Sequence, residues 1–179
     1  MFAVVPQKSI LLKARKLSGR CKIEGLDISI ETDRGEKRSG VSEDGKKWET
    51  LMKDPYGYIK GTLGVDGDHI DLFLGPVAQA IRNGNTKESI KDVWVVHQKN
   101  PNTGKYDEDK VMFGYRSKDE AIRAYKAHYD EPEKFFGPVT EMSLEAFKEK
   151  IKGSRENPKR LGQGKIEKSK SFVLLGLSK

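Results

Sequence analysis

Apolar and polar residues alternate along LDISIE so that Leu26, Ile28 and Ile30 share one side, the period-two signature of a half-buried strand. The polar stretch from Thr32 to Lys47 predicts a hairpin or loop around Glu43, Asp44 and Gly45. YGYIKGTLGVDGDHIDLFLGP mixes aromatic and β-branched residues with five glycines, and reads as short strands meeting at tight turns. Gln79 to Asp92 is polar and carries NGN, which predicts a surface excursion. VWVVH (Val93 to His97) and KVMFGY (Lys110 to Tyr115) have the composition of buried strands, joined as a hairpin through the turn residues of NPNTGKYDED.

The period then changes. Ser117 and Glu120 form a capping box, and Ile122, Tyr125 and Tyr129 fall on one helical face. A second helix is expected from about Ser143, with Leu144, Phe147 and Ile151 inward and Gly153 ending it. Strands precede helices without alternating βαβ units. The expected class is therefore α+β: a small OB-like β-barrel or curled antiparallel sheet flanked by two helices, with N- and C-terminal extensions. The expected division is a basic extension over 1–22, a domain over 23–153 and a basic tail over 154–179, in which SFVLLGL has the composition of a final docked strand. Trp48, Trp94 and His97 read as core residues.

Composition sharpens this outline. With 179 residues the chain can bury a core without staples, and Cys21, its one cysteine, excludes an internal disulfide or a thiolate cluster. No apolar run is long enough to span a membrane, and MFAVVPQK lacks the apolar stretch of a signal peptide, so a cytoplasmic setting is the expectation. The net charge of +7 conceals a split: residues 1–22 carry +6, residues 148–179 carry +7, and the interior carries −6. The basic ends are expected to be solvated or to meet an anionic partner, either a protein or nucleic acid, although no aromatic interleaving or recognition motif points to the latter.

The acidic interior concentrates its chemistry in DGDHID. In an extended chain Asp66 and Asp68 point to one side, and a turn at Gly67 can bring Asp71 beside them. Carboxylates this close repel one another and favour a cation; oxygen-only ligation suits Mg²⁺, with Mn²⁺ as the alternative. His69 lies inside this acidic turn. Tyr56, Tyr58, Lys60 and Thr62 stand just upstream, and Asp107 to Asp109 abut Lys110 at the head of a buried strand. Carboxylates with Lys and Tyr donors are what metal-assisted phosphoryl transfer requires.

The YGY and DGDHIDLFLGP motifs resemble the signature of the soluble, Mg²⁺-dependent family I inorganic pyrophosphatases, with His69 in place of the usual proline. Together with VVHQKNPNTGKYDEDKVMFGY and VTEMSLEAFKEKI they resemble most the divergent pyrophosphatase-like domain of bacteriophage and mobile-element polyvalent proteins, over about Gly25 to Gly153. The resemblance implies Mg²⁺-dependent hydrolysis of pyrophosphate. It implies that Asp66 and Asp71 ligate metal and that Asp68, also near the metals, deprotonates the attacking water. Glu108 and Lys110 resemble the family's Asp-x-Lys pair of metal ligand and phosphate-binding lysine, with Asp107 and Asp109 as competing ligands. Tyr56, Arg38, Glu31 and Tyr129 are implied on the substrate side. Asp130 stands where the family's Tyr-Lys pair has lysine, leaving Lys134 or Arg123 to supply that contact. Two alternatives stay open: hydrolysis of another phosphoanhydride such as a nucleotide, and a non-catalytic virion structural or binding module. Virion proteins would then be partners of the basic ends, and a homo-oligomer is equally compatible with the sequence.

Overall fold

A computed structural model describes residues 16–162, so the first fifteen residues and the SFVLLGL segment lie outside the described residues. Strands β1 (Gly19–Ile23) and β2 (Leu26–Thr32) form a tight hairpin. Strands β3 (Lys37–Val41) and β4 (Lys47–Leu51) make a separate two-stranded ribbon around the expected Glu43–Gly45 turn. Then come β5 (Tyr56–Ile59), β6 (Asp71–Leu74), helix α1 (Pro76–Arg82), β7 (Asp92–Lys99), β8 (Tyr106–Phe113), helix α2 (Lys118–Lys126), β9 (Val139–Ser143) and helix α3 (Leu144–Lys152). The main sheet has the order β1-β2-β5-β6-β8-β7-β9. Its pairs are antiparallel except β6 with β8, which run parallel in the register Asp71↔Lys110 to Leu74↔Phe113.

Side-chain alternation gives the sheet two buried faces. Leu72, Leu74, Val93, Val95, Val111 and Phe113 point one way, into a large core closed by Val77 and Ala78 of α1 and Phe147 and Ile151 of α3. Phe73, Trp94, Val96 and Met112 point the other way, into a smaller aromatic core with Tyr56 and with Ala121 and Tyr125 of α2. Burying a side chain the size of Leu or Phe contributes about 1.5–3 kcal/mol, so the first face anchors the fold. β5 can lie close to β2 because of Gly57: a Cβ there would sit 1.9 Å from the Ser29 carbonyl oxygen.

The helix ends follow the sequence signals. Ser117 Oγ accepts the Glu120 N–H at 3.1 Å, Ser143 Oγ accepts the Ala146 N–H at 3.1 Å, and Gly153 caps α3. The Glu120 carboxylate takes the N–H of Arg116, one residue earlier than a standard capping box places it.

Several expectations need correction. The sheet is mixed rather than antiparallel, and among the described residues it has free edges at β1 and β9, so no closed barrel forms. Among the described residues three α-helices, not two, flank it: Gln79 is in α1, where Pro76 occupies the first turn and Val77 and Ala78 are buried, so the excursion is shorter than the NGN signal suggested. Trp48 is 38% exposed on the β3–β4 ribbon and not in the core, whereas Trp94 is buried. β8 starts at Tyr106, which puts Asp107 to Asp109 in a strand instead of a loop. Ser154 and Leu161 of the expected tail are buried. Among the described residues no helix is long and apolar enough to cross a membrane.

Candidate active site

The smaller core ends in polar residues. Along β8, Glu108 and Lys110 continue the inward side of Met112, and on β7 Gln98 continues that of Val96. The parallel pairing sets Asp71 directly beside Lys110, and β5 brings Tyr56 opposite Phe73. Lys110, only 5% exposed, donates from Nζ to Asp71 Oδ2 at 2.7 Å and to Tyr56 Oη at 2.7 Å, and lies 3.1 Å from Glu108 Oε2. Tyr56 in turn donates its hydroxyl to Asp71 Oδ2.

Burial works against every charge in this cluster, yet the pairing wins. Desolvation opposes the Lys110 ammonium, but Asp71 and Glu108 raise its pKa well above the usual lysine value. Desolvation would raise Asp71, but the charge and hydrogen bond of Lys110 and the Tyr56 hydroxyl hold it below the usual carboxylate range. Burial, followed by the Asp71 charge, pushes Tyr56 far up, so its phenol stays a donor. Three implied site residues from three strands thus form one charged, hydrogen-bonded unit with Glu108.

Arg38 reaches this unit from the β3–β4 ribbon. Its guanidinium lies 4.3 Å from the centroid of the Tyr56 ring and 5.3 Å from that of Trp48, a cation–π sandwich. The neighbouring charges of Tyr56, Asp71 and Glu31 outweigh desolvation and raise its pKa, and its buried Nε has no hydrogen-bond partner among the described residues. Glu31, near the end of β2, is half-buried on the same side.

Tyr129 joins indirectly. Its hydroxyl donates to Gln98 Oε1 at 2.8 Å, Tyr125 donates to the same oxygen at 2.6 Å, and Gln98 Nε2 donates to Glu108 Oε1 at 3.2 Å. Gln98 and Tyr125, which fix the orientation of Glu108, were not anticipated. The available signal was a glutamine ending a buried apolar strand, which needs partners for its amide. Asp130, Arg123 and Lys134 are exposed, and Lys134 pairs with Glu131 at 2.9 Å.

The DGD turn is pinned from below. Thr62 Oγ1 donates to the Ile59 carbonyl at 2.6 Å and accepts the Ile70 N–H at 3.0 Å, while the Thr62 carbonyl lies 2.9 Å from His69 Nδ1. The His69 ring stacks on Tyr58 at 4.5 Å. Gly67 has φ of 85°, a conformation that suits glycine, and its N–H reaches the Gly64 carbonyl. Asp66 Oδ1 accepts the Asp68 N–H at 3.2 Å. Desolvation, with the charges of Asp71 and Asp68 behind it, raises the Asp66 pKa. Asp66 and Glu108 line a shared cavity together with His69, Ile70, Lys159 and Leu161.

The remaining acids separate by face. Asp109 points into the larger core, where Oδ1 lies 2.6 Å from Nδ1 of His97, itself 2.7 Å from Thr140 Oγ1. His97 is thus a satisfied core histidine. Asp107 is exposed at the β-bulge where the β7–β8 register slips. Of the three adjacent acids, Glu108 is the one that shares a side with Lys110 and Asp71.

No curated protein matches the chain. Among solved structures, one described as an inorganic phosphatase from Anaplasma phagocytophilum is 14% identical over 72% of this chain and 89% of its own, with a TM-score of 0.40. An inorganic pyrophosphatase from Coxiella burnetii is 15% identical over 75% of this chain and 94% of its own, with a TM-score of 0.42. The family model for inorganic pyrophosphatase matches residues 13–152, most of the 179-residue chain. The chain therefore belongs to the inorganic pyrophosphatase family and is a pyrophosphatase-like hydrolase.

Proposed function

We propose that the protein hydrolyses inorganic pyrophosphate to two phosphates in a Mg²⁺-dependent reaction, with Mn²⁺ as the alternative ion. The observation that carries this reading is the convergence of Asp71, Glu108 and Tyr56 on the buried Lys110 ammonium, next to the Asp66–Asp68 turn. The donor chemistry fits a hard divalent cation, since Asp66, Asp71 and Glu108 offer oxygen only. Among the described residues no three His, Cys, Asp or Glu side chains gather around one point, and the Lys110 ammonium takes the position between Asp71 and Glu108. Asp66, Asp71 and Glu108 are the residues that would hold ions, with Asp68 close by; Asp107, on the bulge, is the weaker candidate. Bound ions supply positive charge to phosphate oxygens and lower the pKa of water.

The chain's own residues divide the rest of the work. Asp68 takes a proton from the attacking water as its oxygen bonds to one phosphorus and the bridging P–O bond breaks toward the other phosphate. Lys110, kept charged by its carboxylates, and Arg38, held over Tyr56, offset the negative charge that develops on the leaving phosphate. Tyr56 donates a hydrogen bond, while Glu31 and Tyr129 hold Arg38 and, through Gln98, Glu108 in place. The finer kinship with the polyvalent-protein domain is supported by His69 within DGDHIDLFLGP.

The test is phosphate release from pyrophosphate, with and without Mg²⁺, and from nucleoside triphosphates in parallel. Asp68→Asn is expected to lower kcat by about 10²- to 10⁴-fold with the thermal midpoint preserved. Wild-type turnover in that variant refutes the assignment, and equal turnover of nucleotides broadens the substrate to phosphoanhydrides in general.

A further inference from the structure

The ten residues after α3 lie beyond the family match, yet they pack against the site. Ser154, 4% exposed, accepts the Leu63 N–H at 3.2 Å and so ties this segment to the loop that carries the DGD turn. The Arg160 guanidinium lies 4.8 Å from the centroid of Tyr106 at the head of β8. Leu161, also 4% exposed, enters the larger core, and its N–H donates to Asp109 Oδ2 at 2.7 Å. Gly162 is pressed against Thr140 of β9.

Between these anchors Lys159 lines the cavity whose other walls include Asp66 and Glu108. The cavity measures about 10 Å³, room for about one water. Several other cations are engaged: Lys110 with Asp71 and Glu108, Arg38 with Tyr56 and Trp48, Lys126 with Glu133 and Lys134 with Glu131. Lys159 forms no ion pair with a described residue, and the segment on either side of it is fixed. Lys159 is exposed at the rim of this cavity, which three acids, Asp66, Glu108 and Asp109, also line; a cation on such a rim suits a ligand that brings its own negative charge together with cations.

We propose that Lys159 is a substrate-binding residue, contacting a phosphate group of pyrophosphate from a wall that the segment 153–162 adds to the site. The proposal rests on the pyrophosphatase reading, and its test separates the two. Lys159→Ala and Lys159→Arg are made in the full chain. Each is assayed for phosphate release with Mg²⁺ and, by calorimetry, for binding of the non-hydrolysable analogue imidodiphosphate. Lys159→Ala is expected to raise KM and weaken analogue binding about tenfold, the loss of one exposed charge-assisted phosphate contact, with kcat within about threefold of wild type. Lys159→Arg restores binding to within about threefold, and neither variant shifts the thermal midpoint. Analogue binding unchanged in Lys159→Ala, or a loss confined to kcat, overturns the proposal. If the wild type binds imidodiphosphate but releases no phosphate, the hydrolytic reading fails and the binding comparison still decides the role of Lys159. If the wild type binds no analogue, both fall.

Discussion

Replacing Lys110 with methionine tests whether the charged unit stabilises the fold, apart from the catalytic role proposed for it. The ammonium makes contacts at 2.7, 2.7 and 3.1 Å with Tyr56, Asp71 and Glu108 while only 5% of the residue is exposed. Removing one partner of such a buried pair costs about 3–5 kcal/mol because the other charge stays buried without compensation. Methionine refills the aliphatic stem and recovers about 1 kcal/mol of packing. The net loss at pH 7 is thus about 3 kcal/mol, a large share of the roughly 5–15 kcal/mol that stabilises a typical domain. At about 2–4 °C per kcal/mol for a chain of this size, the thermal midpoint falls by about 6–12 °C.

The pH dependence distinguishes this cause from a simple packing defect. In the wild type burial would raise Asp71, but Lys110 and Tyr56 outweigh it and hold the pKa down. The contribution of Asp71 is therefore present above the unfolded carboxylate value of about 3.9 and is lost only as pH falls through the lower folded value. Without Lys110 burial dominates, the Asp71 pKa moves above about 3.9, and the penalty is relieved as the acid protonates. Urea unfolding at pH 7.0, 5.5 and 4.5 should show the gap between wild type and variant narrowing with acidity. A gap below about 1 kcal/mol at pH 7, or one independent of pH, refutes the reasoning.

Two further outcomes follow from the same geometry. Tyr56→Phe keeps the ring beneath Arg38 but removes the donor to Asp71 and the acceptor for Lys110; stability should fall by about 1–2 kcal/mol in urea unfolding, together with reduced phosphate release. His128 accepts the N–H groups of Lys53 and Asp54 at 3.1 and 3.3 Å through Nε2, which with Nδ1–H donating to Ala124 makes it a neutral ring. Burial lowers its pKa, so stability is full above the unfolded value of about 6.5 and declines as pH drops below it, by up to about 1.4 kcal/mol per pH unit. His128→Ala should flatten that slope between pH 6.5 and 5.5; an unchanged slope contradicts this role.

What the sequence makes legible here is local. The alternation in LDISIE, the apolar run VWVVH and the serine caps at Ser117 and Ser143 depend on neighbours a few residues away, and each appears as read. The density of acids in DGDHID likewise marks the acidic turn. Helix α1 escapes because it is seven residues long and buries only Val77 and Ala78, too little to print a helical period. Trp48 misleads because its ring is spent on Arg38 and not on a core. The choice among Asp107, Glu108 and Asp109 depends on a bulge and on which way each side chain faces along β8, neither of which is visible in three consecutive acids. Gln98 gains its meaning only from partners in distant segments.

The parallel pairing of β6 with β8, the single one among the described residues, also bears on how the protein is made. Asp71 and Lys110 are 39 residues apart and become neighbours only when β6 and β8 pair, with α1 and β7 lying between them in the chain. Closing so long a loop is entropically unfavourable and slow compared with forming the β1–β2 or β7–β8 hairpins. Those hairpins can form early while the chain is still without its charged centre. Lys110 and Glu108 of β8 meet Asp71 of β6 only where the two halves of the sheet join. The Lys110–Asp71 pair is thus tied to the native topology: with β6 and β8 unpaired, the chain lacks this charged unit however well its hairpins are formed.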